Sequence, residues 1–250
     1  MDSTFAVIVT GAASGLGQAA AKRLVQQGYS VAAVDLTEID QQALPNGVKA
    51  YQVDVSDTDA VDGMCEQVKR DFGGMVGLVN CAGIVQGGKL VSRKGPHDAD
   101  VFKKVISVNV IGTFNLMRAA VSHMAANSPD SDGQRGVVVN TSSIAAYDGQ
   151  IGQIAYAASK GAVASMTLPA ARDMANLGVR VVSIAPGIFD TPMLAGLPED
   201  VRGALEATVP FPAKLADTAD FGALVSHIFE NKTLNGEVIR LDGALRMAPQ

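Results

Sequence analysis

The feature that most constrains this chain is an alternation. Six short runs rich in Val, Ile and Ala are separated by stretches of helical periodicity: FAVIVT (5–10), SVAAVD (30–35), KAYQVDV (49–55), GLVNCAG (77–83), GVVVNTS (136–142) and VRVVSIAP (179–186). Near-continuous apolar strands belong between two covering layers, because a solvated face would show polar residues at every second position. Helices between successive strands let those strands run parallel and cover both faces of the sheet. The first such stretch, GLGQAAAKRLVQQG, places Leu16, Ala20 and Leu24 on one helical face and offers Gly28 as its stop. No repeat or linker interrupts the pattern, so the 250 residues read as one α/β domain.

Composition excludes several kinds of function. With 48% hydrophobic and 18% charged residues the chain has material for a sizeable core. The net charge is −5 and the basic residues are scattered, which argues against a nucleic-acid partner. Cys65 and Cys81 cannot form a disulfide framework, and His97, His123 and His227 lack ligand spacing, so no metal is expected. The start of the chain has no leader-like pattern, and no apolar run reaches the roughly 18 residues of a membrane span. The expectation is a soluble, cytoplasmic protein without a membrane partner.

TGAASGLG (10–17) closes the first run and opens the first helix. Gly11, Gly15 and Gly17 permit a tight turn, let the main chain approach a diphosphate and aim helix N–H groups at its charge. Such a glycine pattern gains meaning from its context, with a strand before and a helix after. Asp35 ends the second run, where a carboxylate can accept hydrogen bonds from adenosine ribose hydroxyls and repel a 2′-phosphate. No Lys or Arg stands at 36, at 37 or between Gly11 and Gly15, so NAD is expected over NADP. Asp54 and the Val55 main chain, closing the third run, are placed to meet the adenine edge.

SSIAAYDGQIGQIAYAASK (142–160) holds two serines, two tyrosines and a lysine. Tyr156 and Lys160 are four apart and share one helical face. A free phenol, with pKa near 10, is too weakly acidic to serve as a base at neutral pH. An ammonium about 4 Å away at an effective dielectric of ~20 contributes about 4 kcal/mol toward the phenolate. Tyr147 has Ile151 at the corresponding position, so Tyr156 is the expected proton carrier. Ser142 and Ser143 both end the fifth run, and strand alternation lets only one face a site without saying which.

Taken together, these motifs resemble the short-chain dehydrogenase/reductase family over essentially the whole chain. The matching elements are TGAASGLG, NCAG at 80–83, Asn109 in SVNVIGTF, a Ser thirteen residues before a Tyr, YAASK, and PG at 186–187. The resemblance implies a single-domain Rossmann-type doubly wound parallel sheet with helices on both faces. Its nucleotide half would span about 1–135 and its reactive and substrate-loop half about 136–250. It selects Ser143 to orient the carbinol or carbonyl oxygen, Tyr156 to move its proton, and Lys160 to tune Tyr156 while bonding the nicotinamide ribose. Asn109 would support a water relay from Lys160. The implied NAD contacts are Gly11, Ser14, Gly15, Leu16, Gly17, Asp35, Asp54, Val55, Asn80, Cys81, Ala82, Gly83, Tyr156, Lys160, Pro186, Gly187, Phe189 and Thr191.

GQRGVVVNTSSIAAYDGQIGQIAYAASKG, MTLPAARDMA, IAPGIFDTPML, VPFP and LNGEVIRLDGALRM are similar to a branch of that family acting on 3-hydroxyacyl-CoA thioesters and hydroxysteroids. The branch implies NAD-dependent oxidation of a (3S)-3-hydroxyacyl-CoA to the 3-ketone, in fatty acid metabolism. It also implies a homotetramer with the C-terminal strand segment near a subunit contact. The alternatives are a hydroxysteroid or small-ketone dehydrogenase and, in a different class, a nucleotide-binding scaffold in an RNA-processing or regulatory assembly. The complete reactive set and the acidic charge favour the enzyme. Phe189, Met193 and Leu194 would suit an acyl chain or a sterol. The branch carries Ala and Phe where this chain has Ser142 and Tyr147, which add hydroxyls close to the substrate end. Tyr147 itself is expected in packing or at the surface, Cys81 as a buried thiol, Lys89, Arg93 and Lys94 in a solvated loop, and Pro169 at a kink.

Overall fold

The six runs become strands of one seven-stranded parallel sheet in the computed structural model, which describes residues 5–195 and 198–249. In chain order the strands and helices are β1 (Ala6–Thr10), α1 (Gly15–Gln26), β2 (Ser30–Asp35), β3 (Val48–Gln52), α2 (Thr58–Phe72) and β4 (Met75–Asn80). A two-stranded hairpin, β5 (Val91–Ser92) and β6 (Gly95–Pro96), precedes α3 (Ala99–Ile106), a π-helical turn (Ser107–Ile111) and α4 (Gly112–Met124). Then come β7 (Gly136–Thr141), α5 (Ile154–Met174), β8 (Val179–Pro186), α6 (Pro192–Ala195), α7 (Glu199–Glu206), α8 (Thr218–Glu230) and β9 (Val238–Leu241). The sheet order is β3-β2-β1-β4-β7-β8-β9, and every neighbouring pair in it is parallel.

That order reverses direction between β1 and β4, and the ends of these two strands part to open a crevice where such sheets bind ligands. Every residue of β1, β4, β7 and β8 is buried, as expected of strands covered on both faces. One face carries α2, α4 and α5 over a core that includes Met64, Leu116, Met124 and Ala171. The other carries α1 and α8 over Leu24, Phe221, Val225 and Phe229. The doubly wound sheet anticipated from the alternation is therefore present, with β9 as its seventh strand.

Two details differ from the sequence reading. The third run is a strand only to Gln52, so Asp54 and Val55 stand in the turn beyond it. There, Asp54 Oδ1 accepts bonds from Ser56 N and Ser56 Oγ, a local turn that competes with strand pairing. The helical segment Ala99–Met124 is long and apolar enough to cross a membrane by composition, which amends the expectation that no segment is. Its apolar side is occupied instead by the core, with Leu116, Ala120 and Met124 fully buried. Pro169 lies inside α5, which continues through it.

Candidate active site

The crevice is a cleft of about 650 Å³ along the carboxyl edge of the sheet. At its nucleotide end, Thr10 closes β1 and its hydroxyl accepts bonds from Cys81 N (3.1 Å) and Ala82 N (3.0 Å). This ties the two diverging strand ends together. Gly11 has φ +65° and lies so close that a Cβ would sit 3.0 Å from the Cys81 carbonyl and Ala82 N. At Gly17 a Cβ would stand 2.2 Å from the Gly11 carbonyl oxygen, so only glycine lets α1 start this close to the turn. Ser14 precedes α1 without capping it through its side chain, and the first turn holds no acidic residue. Positive helix-end dipoles and main-chain donors thus face the cleft without a neutralising carboxylate of their own turn.

Asp35 fixes this turn as well as lining the cleft. Its Oδ2 accepts from Ala13 N (3.0 Å) and its Oδ1 from Thr37 N (2.9 Å). Asp54 and Val55 line the adjoining wall, where the Val55 carbonyl accepts from Asn115 Nδ2 at 3.1 Å. The Ser56 hydroxyl and amide hold the Asp54 carboxyl below the usual range, with Lys104 adding a weaker electrostatic pull. Lys104 also lines the cleft and escaped the sequence argument, which looked for basic residues only beside Asp35 and in the glycine turn.

At the reactive end the chain leaves β7 through Thr141, Ser142 and Ser143, and these three side chains take separate tasks. Thr141 Oγ1 donates to Cys81 Sγ at 3.5 Å, while the Thr141 carbonyl accepts a 2.7 Å bond from Lys160 Nζ. Ser142, 1% exposed, donates to the Lys160 carbonyl at 2.8 Å and so clamps β7 to α5. Ser143 accepts from Ala145 N at 3.1 Å, opening a short turn at Ile144–Ala146, and its hydroxyl faces the Tyr156 phenol. Strand alternation thus resolves in favour of Ser143. The Ser142 hydroxyl, expected near the substrate, is a structural clamp instead.

Burial pushes the Tyr156 phenol above its ordinary value, and the Ser143 hydroxyl pulls the other way. Burial also brings the Lys160 ammonium down to about 8. The lysine does share the helix face with Tyr156, but its Nζ lies 5.8 Å from the ring centre and is bonded to Thr141. The ammonium is thus held by the strand-end carbonyl as well as lying beside the Tyr156 ring. Burial likewise raises the Cys81 thiol to about 11, so it is inert at neutral pH, as expected.

Asn109 sits fully buried in the π-helical turn. Its Oδ1 accepts from Ile84 N (2.8 Å), and its Nδ2 donates to the Ile84 carbonyl (3.0 Å) and Ser159 Oγ (2.9 Å). Ser159 in turn donates to the Tyr156 carbonyl at 2.7 Å. The Asn109 amide therefore fastens the segment after β4 to α5.

Gly11, Ser14, Gly15, Leu16, Gly17, Cys81, Ala82, Gly83, Pro186, Gly187 and Thr191 all line the cleft. Asn80 does not: its side chain is buried and donates to Asn140 Oδ1 at 2.9 Å, joining β4 to β7. Phe189 also lines the cleft, 3% exposed and with its ring edge-on to Phe221. Leu194 does line the cleft, whereas the side chain of Met193 lies outside the described residues. Tyr147 is surface-exposed under the Arg240 guanidinium, 5.4 Å from its ring centre. Lys89, Arg93 and Lys94 are exposed in and around the small hairpin. No metal-binding group of His, Cys, Asp or Glu occurs among the described residues.

A family model described as short chain dehydrogenase matches residues 6–202, and this chain belongs to that family. Its reaction is hydride transfer between a secondary alcohol and a nicotinamide cofactor. The chain is 49% identical over 249 residues to the 3-hydroxyacyl-CoA dehydrogenase type-2 of Drosophila melanogaster, covering 97% of each. To the human protein of the same name it is 48% identical over 248 residues, covering 97% of this chain and 95% of the other. The crystal structure of 3-hydroxyacyl-CoA dehydrogenase type-2 from Mycobacterium avium superposes with a TM-score of 0.93 at 36% identity, over 98% of this chain and 97% of that one.

Proposed function

We propose that this enzyme interconverts 3-hydroxyacyl-CoA and 3-ketoacyl-CoA with NAD, as a homotetramer of the cytoplasm serving fatty acid metabolism. The observation that carries this reading is the continuity of the cleft. Asp35 stands at one end, Ser143, Tyr156 and Lys160 at the other, and an apolar wall of Ile144, Ile188, Leu194 and Leu205 continues beyond them. The relatives named 3-hydroxyacyl-CoA dehydrogenase type-2, at 47–49% identity, support the thioester as substrate.

A dinucleotide fits the residues present. The glycine turn leaves room for a diphosphate over the start of α1, and the Asp35 carboxylate, held by two amides, suits ribose hydroxyls and opposes a 2′-phosphate. When bound, it supplies the hydride acceptor in oxidation and the hydride donor in reduction. The chain manages the oxygen and its proton. Ser143 holds the substrate oxygen toward Tyr156, whose buried phenol stays protonated and gives its proton to a ketone oxygen in reduction. In oxidation the phenol must first release its own proton to solvent, and the phenolate oxygen so formed receives the alcohol proton. Lys160, mostly charged at pH 7, stabilises negative charge on that oxygen as it develops.

The assembly is supported by apolar side chains left exposed along two helices. Ile111 (44%) and Phe114 (49%) lie at the start of α4, and Ile154 (43%) and Leu168 (45%) along α5. Two unpaired thiols, Cys65 and Cys81, accord with a reducing compartment. Steady-state assays with acetoacetyl-CoA, a steroid panel, NADH and NADPH test the reading. NADH-dependent reduction of acetoacetyl-CoA is expected, with a lower KM for NAD than for NADP in the reverse direction. An inert thioester beside a reactive steroid overturns the substrate, and the reverse KM order overturns the cofactor.

A further inference from the structure

The cleft wall beyond Tyr156 includes a residue from the far end of the chain, Met247. The tail that carries it is fixed at both ends. After β9, Asp242 accepts from Arg240 Nε at 2.6 Å, and the Leu245 carbonyl accepts from Arg240 Nη2 (2.9 Å) and Arg246 Nη1 (2.8 Å). Arg240 also bonds Asp148 Oδ2 at 2.6 Å, joining the tail to the segment between Ser143 and Tyr156. The Leu245 side chain is 2% exposed and packs with Ile144 and Val209. On the far side of Met247, the Ala248 carbonyl accepts from Gln150 Nε2 (3.0 Å) and the Pro249 carbonyl from Ile151 N (2.9 Å).

Met247 is thus strung between two anchors across the segment that leads into the catalytic helix. Its half-buried side chain packs against the cluster of Ile144, Val209 and Leu245, and Ile144 directly follows Ser143. Leu205, from α7, also lines the cleft. A substrate whose oxygen lies at Ser143 and Tyr156 directs one of its two carbon substituents toward this apolar corner. The tail, pinned by main-chain bonds, has little freedom to retreat from a longer substituent, whereas methionine itself is unbranched and adaptable.

We propose that Met247 gauges the length of the apolar substituent accepted beyond the reacting carbon, so that the C-terminal tail sets chain-length preference. The inference deepens the acyl-thioester reading and rests on it. Met247→Ala opens the corner and Met247→Trp fills it, and one or two methylenes in an apolar pocket change discrimination by about tenfold or more. Both variants and the unsubstituted enzyme are assayed for kcat and KM on 3-ketoacyl-CoA thioesters from four to twelve carbons, about one chain length at a time. The expected result is that Met247→Ala raises kcat/KM for long chains relative to short by about tenfold. Met247→Trp is expected to lower that ratio by a similar factor, with NADH binding intact. Equal changes at every length, or none, in variants that bind NADH normally overturn the inference. If the unsubstituted enzyme turns over no thioester, it is the acyl-thioester reading that falls. The same variants are then ranked on secondary alkanols of graded length, where an unchanged ranking overturns the assignment of Met247.

Discussion

The two ends of the cleft are built from different materials. At the nucleotide end the contacts are mostly main chain: the start of α1, the Gly11 turn, and the Cys81 and Ala82 amides held by Thr10. At the reactive end they are side chains: Ser143 after β7, Tyr156 and Lys160 on α5, and Leu194, Leu205 and Met247 from later segments. Main-chain recognition demands glycine at a few crowded points and tolerates almost anything elsewhere, because every residue has the same amide. Side-chain recognition fixes the chemistry at one point and leaves its surroundings open to change. The family's shared reaction and its varied substrates divide along this line.

The sharpest way to break the comparison is to remove one oxygen from the reactive end. Tyr156→Phe deletes the proton carrier while keeping the ring that fills its buried site. General acid–base groups contribute roughly 10²–10⁴-fold, so kcat is expected to fall by about a thousandfold. NADH affinity, measured by fluorescence titration, is expected to change by less than about threefold, since most of that site is main chain from other segments. Full activity in the phenylalanine variant would remove Tyr156 from the mechanism.

Lys160 tests whether the reactive end carries a stability cost that the nucleotide end does not. Burial lowers its value from 10.5 to about 8 in the folded protein. Between those two values the unfolded chain binds more protons than the folded one, so stability rises with pH across that window. Below pH 8 the buried ammonium therefore costs about 3 kcal/mol. Lys160→Met removes the charge but leaves the Thr141 carbonyl without its donor, an opposing loss of about 1 kcal/mol. Urea denaturation is expected to find the inactive variant about 2 kcal/mol more stable than the parent at pH 7. That advantage should shrink as pH rises from 8 toward 10.5. A difference independent of pH would show that the lysine is not titrating in its buried site.

A smaller and opposite result is expected at the nucleotide end. A Cβ at position 17 would stand 2.2 Å from the Gly11 carbonyl oxygen, so Gly17→Ala must push α1 away from the turn. Overpacking of this kind costs about 1–3 kcal/mol, and it displaces the donors meant for a diphosphate. NADH binding is expected to weaken by about tenfold or more, with a lower thermal midpoint and little change in saturated kcat. Unchanged affinity would mean that the helix start does not carry the dinucleotide.

The same division explains what could be read from the amino acids alone. The sheet was legible because strands buried on both faces are apolar throughout, as β1, β4, β7 and β8 are. The glycine turn was legible because its parts are consecutive, and Tyr156 with Lys160 because helix geometry joins residues four apart. Lys104, Leu205 and Met247 were not, because only the tertiary fold brings them to the cleft from α3, α7 and the tail. Asn80 misled for a complementary reason. It lies beside a cofactor-lining segment in sequence, yet its amide pairs with Asn140. Proximity along a chain fixes where the backbone goes and leaves open which way a side chain turns.

Ser142 gives that point its finest test, since it neighbours Ser143 and carries the same hydroxyl. Its bond to the Lys160 carbonyl joins β7 to α5 inside the core, 1% exposed. Ser142→Ala leaves that carbonyl short of one donor in a helix whose own bonding continues, so a loss of about 1 kcal/mol is expected on denaturation. Substrate preference, read as the ratio of kcat/KM between two thioester lengths, should stay within about twofold. The matching Ser143→Ala variant is expected to lose about a hundredfold in kcat with a smaller change in stability, because its hydroxyl faces the phenol and the reacting oxygen. If Ser142→Ala instead altered preference and spared stability, the clamp would belong to the substrate site. The boundary between the core and the chemistry would then fall one residue earlier along β7.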